Sequence, residues 1–252
     1  MKYLNGQKIP KDVEAALLLT LKTGFITRTL WKNHFFKGNP RWASKGLRAM
    51  QVKRLITSHP HPLAFDCFVL TAIGQRTLGA QFMKPLKPPP VSQLLHDEFV
   101  LESMLSLRNA QCLQDWTLES ELKAMRDGTF ILKGSLDGLK YPDAIFTMIV
   151  QGSERLCAFE YERQEKSIAR YRTILRRYAV LDSLWMIVIV CGTSGVQRRI
   201  KNQMVALRDP SLMNRVGLVD VESWQKSPST ATILLGTKKF SMAQLCATVP
   251  RN

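Results

Sequence analysis

The residues whose types could do chemistry are a Pro142-Asp143 pair and, farther along the chain, the run Glu160-Tyr161-Glu162. Alternation along a strand from Arg155 to Glu162 places Cys157, Phe159 and Tyr161 on one face and Ala158, Glu160 and Glu162 on the other. Two carboxylates on one side of an apolar strand repel each other and are costly to bury unless a cation or a basic side chain lies between them. Asp143 starts the preceding strand, Ala144 to Val150, and a hairpin pairing brings it beside Glu160. Asp143 and Glu160 are therefore candidate ligands of a divalent cation such as Mg2+, or Mn2+, whose ligands are typically one or two carboxylates with water and substrate phosphate. The same spacing fits acids on an exposed strand face paired with Arg163 or Lys166. The residues alone leave both readings open.

The elements that must position these acids follow from periodicity. Val91 to Leu107 reads as a helix, with Leu94, Leu95, Phe99, Leu101, Met104 and Leu105 on its apolar side and Asp97, Glu98 and Glu102 on the polar one. His96, on so apolar a helix, is expected to be a hydrogen-bonded core residue more than a general base. A strand from Cys112 to Leu118 ends in Glu119-Ser120-Glu121, and Asp127-Gly128 and Asp137-Gly138 signal turns. After the two strands that carry the acids come a helix, Ser167 to Leu181, and a buried strand, Leu184 to Cys191. That helix holds Arg170, Arg172, Arg176 and Arg177, which either follow a nucleic-acid backbone or form a solvated face. The order is αβββαβ, an α/β mixed sheet flanked by helices.

The first third of the chain has a different character. Of the 36 Lys and Arg and 20 Asp and Glu that give a formal +16, residues 1–90 hold 15 basic and three acidic ones, a net of +12, leaving +4 for residues 91–252. A segment this basic attracts polyanions, and nucleic acid is the commonest of them. Three helices are expected here: one through Val13 to Leu21 stopped by Gly24, one from Arg28 to Phe36 capped by Thr27, and one from Arg41 to about Leu55. A hairpin with a strand at Leu63 to Leu70, closed by a turn at Thr71 to Gly74, completes the set. That is the plan of a winged helix, whose third helix enters the major groove. Arg41, Lys45 and Arg48 share one face of that helix, with Lys53 and Arg54 near its end, and are the candidate contacts to double-stranded DNA. Lys84-Pro85-Leu86-Lys87-Pro88-Pro89-Pro90 favours an extended spacer. The expected division is 1–83, winged helix; 84–90, linker; 91–252, second domain.

A 45% hydrophobic, 22% charged composition excludes a disordered polybasic chain. The longest apolar run, Leu184 to Cys191, falls far short of the ~20 residues of a bilayer crossing, and the start lacks a signal-peptide core. A cytoplasmic protein with no membrane segment is expected. The five cysteines are scattered and never spaced as C-x-x-C, which points to reduced buried thiols and neither disulfides nor zinc.

In Pro142-Asp143 and Glu160-Tyr161-Glu162 the sequence resembles the PD-(D/E)xK nuclease superfamily. More narrowly, it is similar to the replication-relaxation family, which includes MobC-type relaxases of mobilisable plasmids. The shared features are the winged-helix start, Leu95-His96, the strand Trp116 to Glu119, Pro142-Asp143-Ala144, Phe159 to Glu162, and a helix with Tyr171 and Tyr178, over residues 10 to 190. The resemblance implies a metal-dependent endonuclease that nicks a plasmid transfer origin, aided by accessory mobilisation proteins. It implies Asp143 and Glu160 as metal ligands, with Glu119, Glu98 or Glu102 contributing. Glu162 stands where most of the superfamily has lysine, and Lys166 is placed to restore the positive charge. Either Glu162 or Lys166 would orient the attacking oxygen. Water attack would leave free ends, and attack by Tyr171 or Tyr178 a covalent protein–DNA link, although buried aromatics on a helix are more often packing residues. Two alternatives keep the same residues: a winged-helix plasmid replication or transcription regulator with an inactive nuclease-like domain, and a double-strand-cutting restriction or transposition enzyme.

Overall fold

The computed structural model describes residues 3–4, 7–63, 67–80, 86–124 and 141–246. The chain divides into two compact units, Met1–Phe99 and Val100–Asn252. The division falls inside a helix, nine residues past the proline run; of that run, Leu86 to Pro90 is coil and Lys84-Pro85 lies outside the described residues, as do Asp127-Gly128 and Asp137-Gly138.

In the first unit, after a short antiparallel pair, β1 (Tyr3–Leu4) and β2 (Gln7–Lys8), comes α1 (Lys11–Thr23), which buries Val13, Ala16, Leu17 and Leu21. Gly24 ends it in a left-handed conformation, φ 84°, where a Cβ would also stand 2.7 Å from the Lys87 carbonyl oxygen. Both constraints demand glycine. Next are β3 (Ile26–Thr27), α2 (Arg28–Phe35), α3 (Pro40–Val52), β4 (Ile56–His59), β5 (Cys67–Leu70) and α4 (Ala72–Thr77). The strands form an antiparallel sheet in the order β3-β5-β4.

Capping sets these boundaries. The Thr27 hydroxyl accepts the Leu30 N–H at the start of α2, and Asn39 Oδ1 accepts from Arg41 and Trp42 at the start of α3, with Pro40 as its first residue. α3 stops short of Leu55 because Arg54 turns left-handed, φ 56°, while the Leu55 N–H returns to the Met50 carbonyl at 2.9 Å. Lys53 and Arg54 therefore sit beyond the helix, not on its last turn. The expected strand Leu63 to Leu70 shortens to β5, and residues 64–66 of it lie outside the described residues. The expected turn at Thr71 is instead α4, capped by the Thr71 hydroxyl on the Gly74 N–H.

The second unit contains the end of α5 (Val91–Asn109), then β6 (Asp115–Leu118), α6 (Glu119–Ala124), β7 (Ala144–Val150), β8 (Ser153–Glu162), α7 (Ile168–Ala179) and β9 (Met186–Cys191). The αβββαβ order is therefore present, with α6 added. Beyond it lie α8 (Ser194–Leu207), α9 (Pro210–Arg215), β10 (Val216–Asp220), α10 (Val221–Lys226), β11 (Ile233–Leu235), β12 (Lys238–Phe240) and α11 (Met242–Cys246). Seven strands form one mixed sheet in the order β12-β11-β10-β9-β8-β7-β6. β6, β7 and β8 are antiparallel neighbours, β8, β9 and β10 run parallel, and β11 and β12 turn back antiparallel.

The two faces of the sheet bury different partners. Ile145, Ala158, Ile187, Ile189 and Leu218 pack with Tyr171, Ile174, Leu175 and Tyr178 of α7 and Val196, Ile200 and Met204 of α8. On the opposite face Phe159 meets Trp224 of α10, ring centroids 5.5 Å apart, and the Trp224 Nε1–H donates to Ser103 Oγ of α5. No helix among the described residues is long and apolar enough to cross a membrane.

All five cysteines are free, and burial pushes the thiols of Cys67, Cys157 and Cys191 up from 9.0 to about 12. At about pH 8 these three should resist a thiol-specific disulfide reagent in the folded protein and react once it is unfolded, since only the thiolate attacks. Folded values above unfolded ones make the stabilisation complete below pH 9.0 and progressively lost toward about 12. An alkaline titration of unfolding free energy should therefore fall over that window, by up to ~1.4 kcal/mol per pH unit for each buried thiol. Fast native labelling of all three would contradict their burial.

Candidate active site and nucleic-acid interface

The acidic cluster is built by strand register. Ala144 pairs with Phe159 across β7 and β8, so the next position sets Asp143 opposite Glu160, and Glu160 in turn pairs with Ile189 of β9. Glu160 and Glu162 share the side of β8 that carries Ala158, and Asp143 shares the side that carries Ile145. Both belong to the face covered by α7. Asp143, Glu160 and Glu162 are 4%, 2% and 3% exposed, so the reading in which they line a solvated strand face is wrong.

Each buried acid has a donor. Asp143 Oδ2 accepts the Tyr161 backbone N–H at 2.8 Å, Glu160 Oε1 accepts the Tyr178 hydroxyl at 2.5 Å, and Glu162 Oε1 lies 2.6 Å from Lys166 Nζ. Glu162 Oε2 is buried with no hydrogen-bond partner. Burial first, then the charge and hydrogen bond of Glu160, then the charges of Asp143 and Glu162 raise Tyr178 well above the ordinary phenol range. Burial is also the first cause of the upward shift at Tyr171, whose oxygen accepts the Lys166 N–H at 3.2 Å. Both tyrosines thus carry neutral hydroxyls engaged with the acid-bearing segment, a poor starting point for phenolate attack.

The other expected contributors separate. The Glu119 N–H donates to the Asp143 carbonyl at 2.9 Å, yet its carboxylate pairs with Lys123 at 3.0 Å. Glu98 is engaged within the first unit, where it accepts from the Thr27 hydroxyl and faces His61 Nε2 at 3.4 Å. His96 is partly exposed and bonds Asp97 through Nδ1 at 3.0 Å, so it is not a core residue.

A hard divalent cation suits the donor set. Asp143, just before β7, and Glu160 of β8 offer carboxylate oxygens opposite one another, and the unsatisfied Glu162 oxygen follows on the same face. Among the described residues no three His, Cys, Asp or Glu side chains converge into a ready cage. Mg2+ does not require one, since one or two carboxylates with water and substrate oxygens commonly suffice.

In the first unit, Arg41, Lys45 and Arg48 are exposed on α3 while Ala43, Leu47 and Met50 are buried, as the spacing requires. Sequence reasoning passed over Trp42, 60% exposed on the same helix with Lys45 Nζ 5.8 Å from its ring centroid. Its position off the apolar stripe was the available signal. Tyr171 and Tyr178 are both on the buried side of α7, the packing role expected of aromatics on a helix; the hydroxyl contact of Tyr178 with Glu160 is the part the sequence does not predict. Compared with protein-family models, curated proteins and solved structures, the chain has no match.

Proposed function

We propose that this protein is a metal-dependent DNA endonuclease of the relaxase kind, nicking one strand at a plasmid transfer origin. One observation carries the reading: Asp143, Glu160 and Glu162 are buried on one face of the central strands, and Glu162 Oε2 is left without a partner. A basic protein has no stability reason to gather like charges in its interior, whereas functional sites keep such arrangements. The antiparallel β6-β7-β8 and parallel β9, with α7 between β8 and β9, also fit the PD-(D/E)xK plan, and the order α1-β3-α2-α3-β4-β5 fits a winged helix.

Asp143 and Glu160 would hold Mg2+ or Mn2+, which supplies Lewis-acid activation of a phosphodiester. Tyr178 holds Glu160 in place through its hydroxyl. Lys166, fixed by Glu162, would restore the positive charge that the superfamily's lysine supplies and that Glu162 replaces in that slot, and the free Glu162 oxygen is the acceptor that would orient water. Exposed Arg41, Lys45 and Arg48 supply phosphate contacts, with Trp42 beside them.

A second reading, a DNA-binding regulator with an inactive nuclease-like domain, is favoured by the protein donors on all three acids. Incubating the protein with supercoiled plasmid and Mg2+ or Mn2+ separates the readings. Open circles are expected. Linear product would mean double-strand cutting, and unchanged plasmid under both metals would leave the regulator.

A further inference from the structure

The net +4 of residues 91–252 conceals a polarised domain. Residues 163–208 hold ten Lys and Arg against two acids, Glu165 and Asp182, a net of +8, while the remainder of 91–252 holds 11 basic and 15 acidic residues, a net of −4. The folded chain concentrates that positive stretch further. α7 and α8 bury their apolar sides in one core, and Arg172 Nε donates to Gln203 Oε1 between them at 2.8 Å. Neither helix contains an Asp or Glu.

One nearby acid is spent on architecture. Glu165 lies so close to the first turn of α8 that a Cβ on Gly195 would stand 1.9 Å from its Oε1, and Arg199 Nε holds the other oxygen at 2.6 Å. Arg170, Arg176, Arg198 and Lys201 remain exposed, and among the described residues no carboxylate pairs with them. Such a one-sign face repels itself and attracts a polyanion. Both helices start at the acid-bearing end of the sheet. Lys166, just before α7, pairs with Glu162, and the Gly192 N–H, just before α8, donates to the Glu162 carbonyl at 2.9 Å.

We propose that the α7–α8 face is a second double-stranded DNA surface, gripping phosphates that flank the cleavage position and contributing to binding separately from α3. The flanking role rests on the nuclease reading above; the binding role does not. A duplex fits better than a single strand because both tyrosines of α7 are buried and α8 has no aromatic residue, so the face offers phosphate donors but no platform for unstacked bases.

The test uses the full chain in EDTA, where cleavage is silent, and fluorescence anisotropy of a labelled duplex across a salt series. Arg170→Gln, Arg176→Gln and Arg198→Gln combined should lower the slope of log affinity against log salt by about 2.7, from ~0.9 per lost phosphate contact. Affinity at ~0.1 M salt should drop about tenfold or more. The Arg→Lys triple variant should keep most binding, which excludes a folding defect as the cause. Arg41→Ala, Lys45→Ala and Arg48→Ala together should weaken binding separately, and the two losses should multiply. An unchanged slope in the Gln triple variant overturns the proposal, as does preference for a single strand of the same sequence. If duplex binding behaves as expected but plasmid is never cut with Mg2+ or Mn2+, the nuclease reading fails and this surface stands.

Discussion

Glu160→Gln and Asp143→Asn should each reduce plasmid nicking about 10³-fold or more, the equivalent of several kcal/mol of lost metal-assisted stabilisation, with duplex affinity unchanged. Both replacements keep an oxygen acceptor of the same size, so the Tyr161 N–H and the Tyr178 hydroxyl retain their partners. What they remove is charge. Three carboxylates under 5% exposed on one sheet face repel one another, and neutralising one relieves that repulsion. Melting temperature is therefore expected to hold or rise while activity collapses, the pattern of a site that trades stability for function. The opposite pattern, a melting temperature lowered by several degrees with nicking intact, would mark the acids as structural and defeat their assignment as the metal-holding site.

How far the sequence revealed this arrangement depended on whether the signal was local. β7 was readable because Ala144 to Val150 is continuous and apolar after a proline, and the facing of Glu160 and Glu162 followed from strand alternation alone. Boundaries failed where the stop was not a glycine. Arg54 ends α3, and Gln111, φ 57°, follows α5, each in the left-handed region that glycine usually occupies, so neither position looked like an end. α4 was missed because Gly74 suggests a turn, whereas it is needed inside the helix: a Cβ there would stand 2.2 Å from the Leu55 carbonyl oxygen. The partners of the acids were the least legible part. Nothing local tells that Tyr178 reaches Glu160, since that contact depends on how α7 lies across β8. Of the +8 of residues 163–208, the four arginines of α7 were legible as one candidate face, while the share of α8 was hidden by averaging with the acidic remainder of the domain.

Arg215→Met should destabilise the second unit by about 3 kcal/mol, the low end for losing several charge-assisted hydrogen bonds at a partly exposed site. Arg215, the last residue of α9, donates to the carbonyls of Tyr178, Ala179, Leu181 and Leu184 at 3.1, 3.1, 2.8 and 3.2 Å and to Ser211 Oγ at 2.9 Å. Two of those carbonyls lie at the end of α7, where that of Tyr178 otherwise takes a long turn bond from the Leu181 N–H at 3.4 Å, and a cation at a helix C-terminus also suits its dipole. For a unit of this size the loss corresponds to a fall in melting temperature of roughly 6–12 °C, measurable by calorimetry. Arg215→Lys should recover only a fraction, because one ammonium cannot span carbonyls arranged for a planar fork. The effect should also reach the acids. The turn that Arg215 secures carries Tyr178, whose hydroxyl is the donor to Glu160, so nicking measured well below the melting range should fall while duplex binding persists. A variant that melts within about 2 °C of the parent would show that these carbonyls find water as readily as they find Arg215, and that the end of α7 is held by its apolar contacts alone.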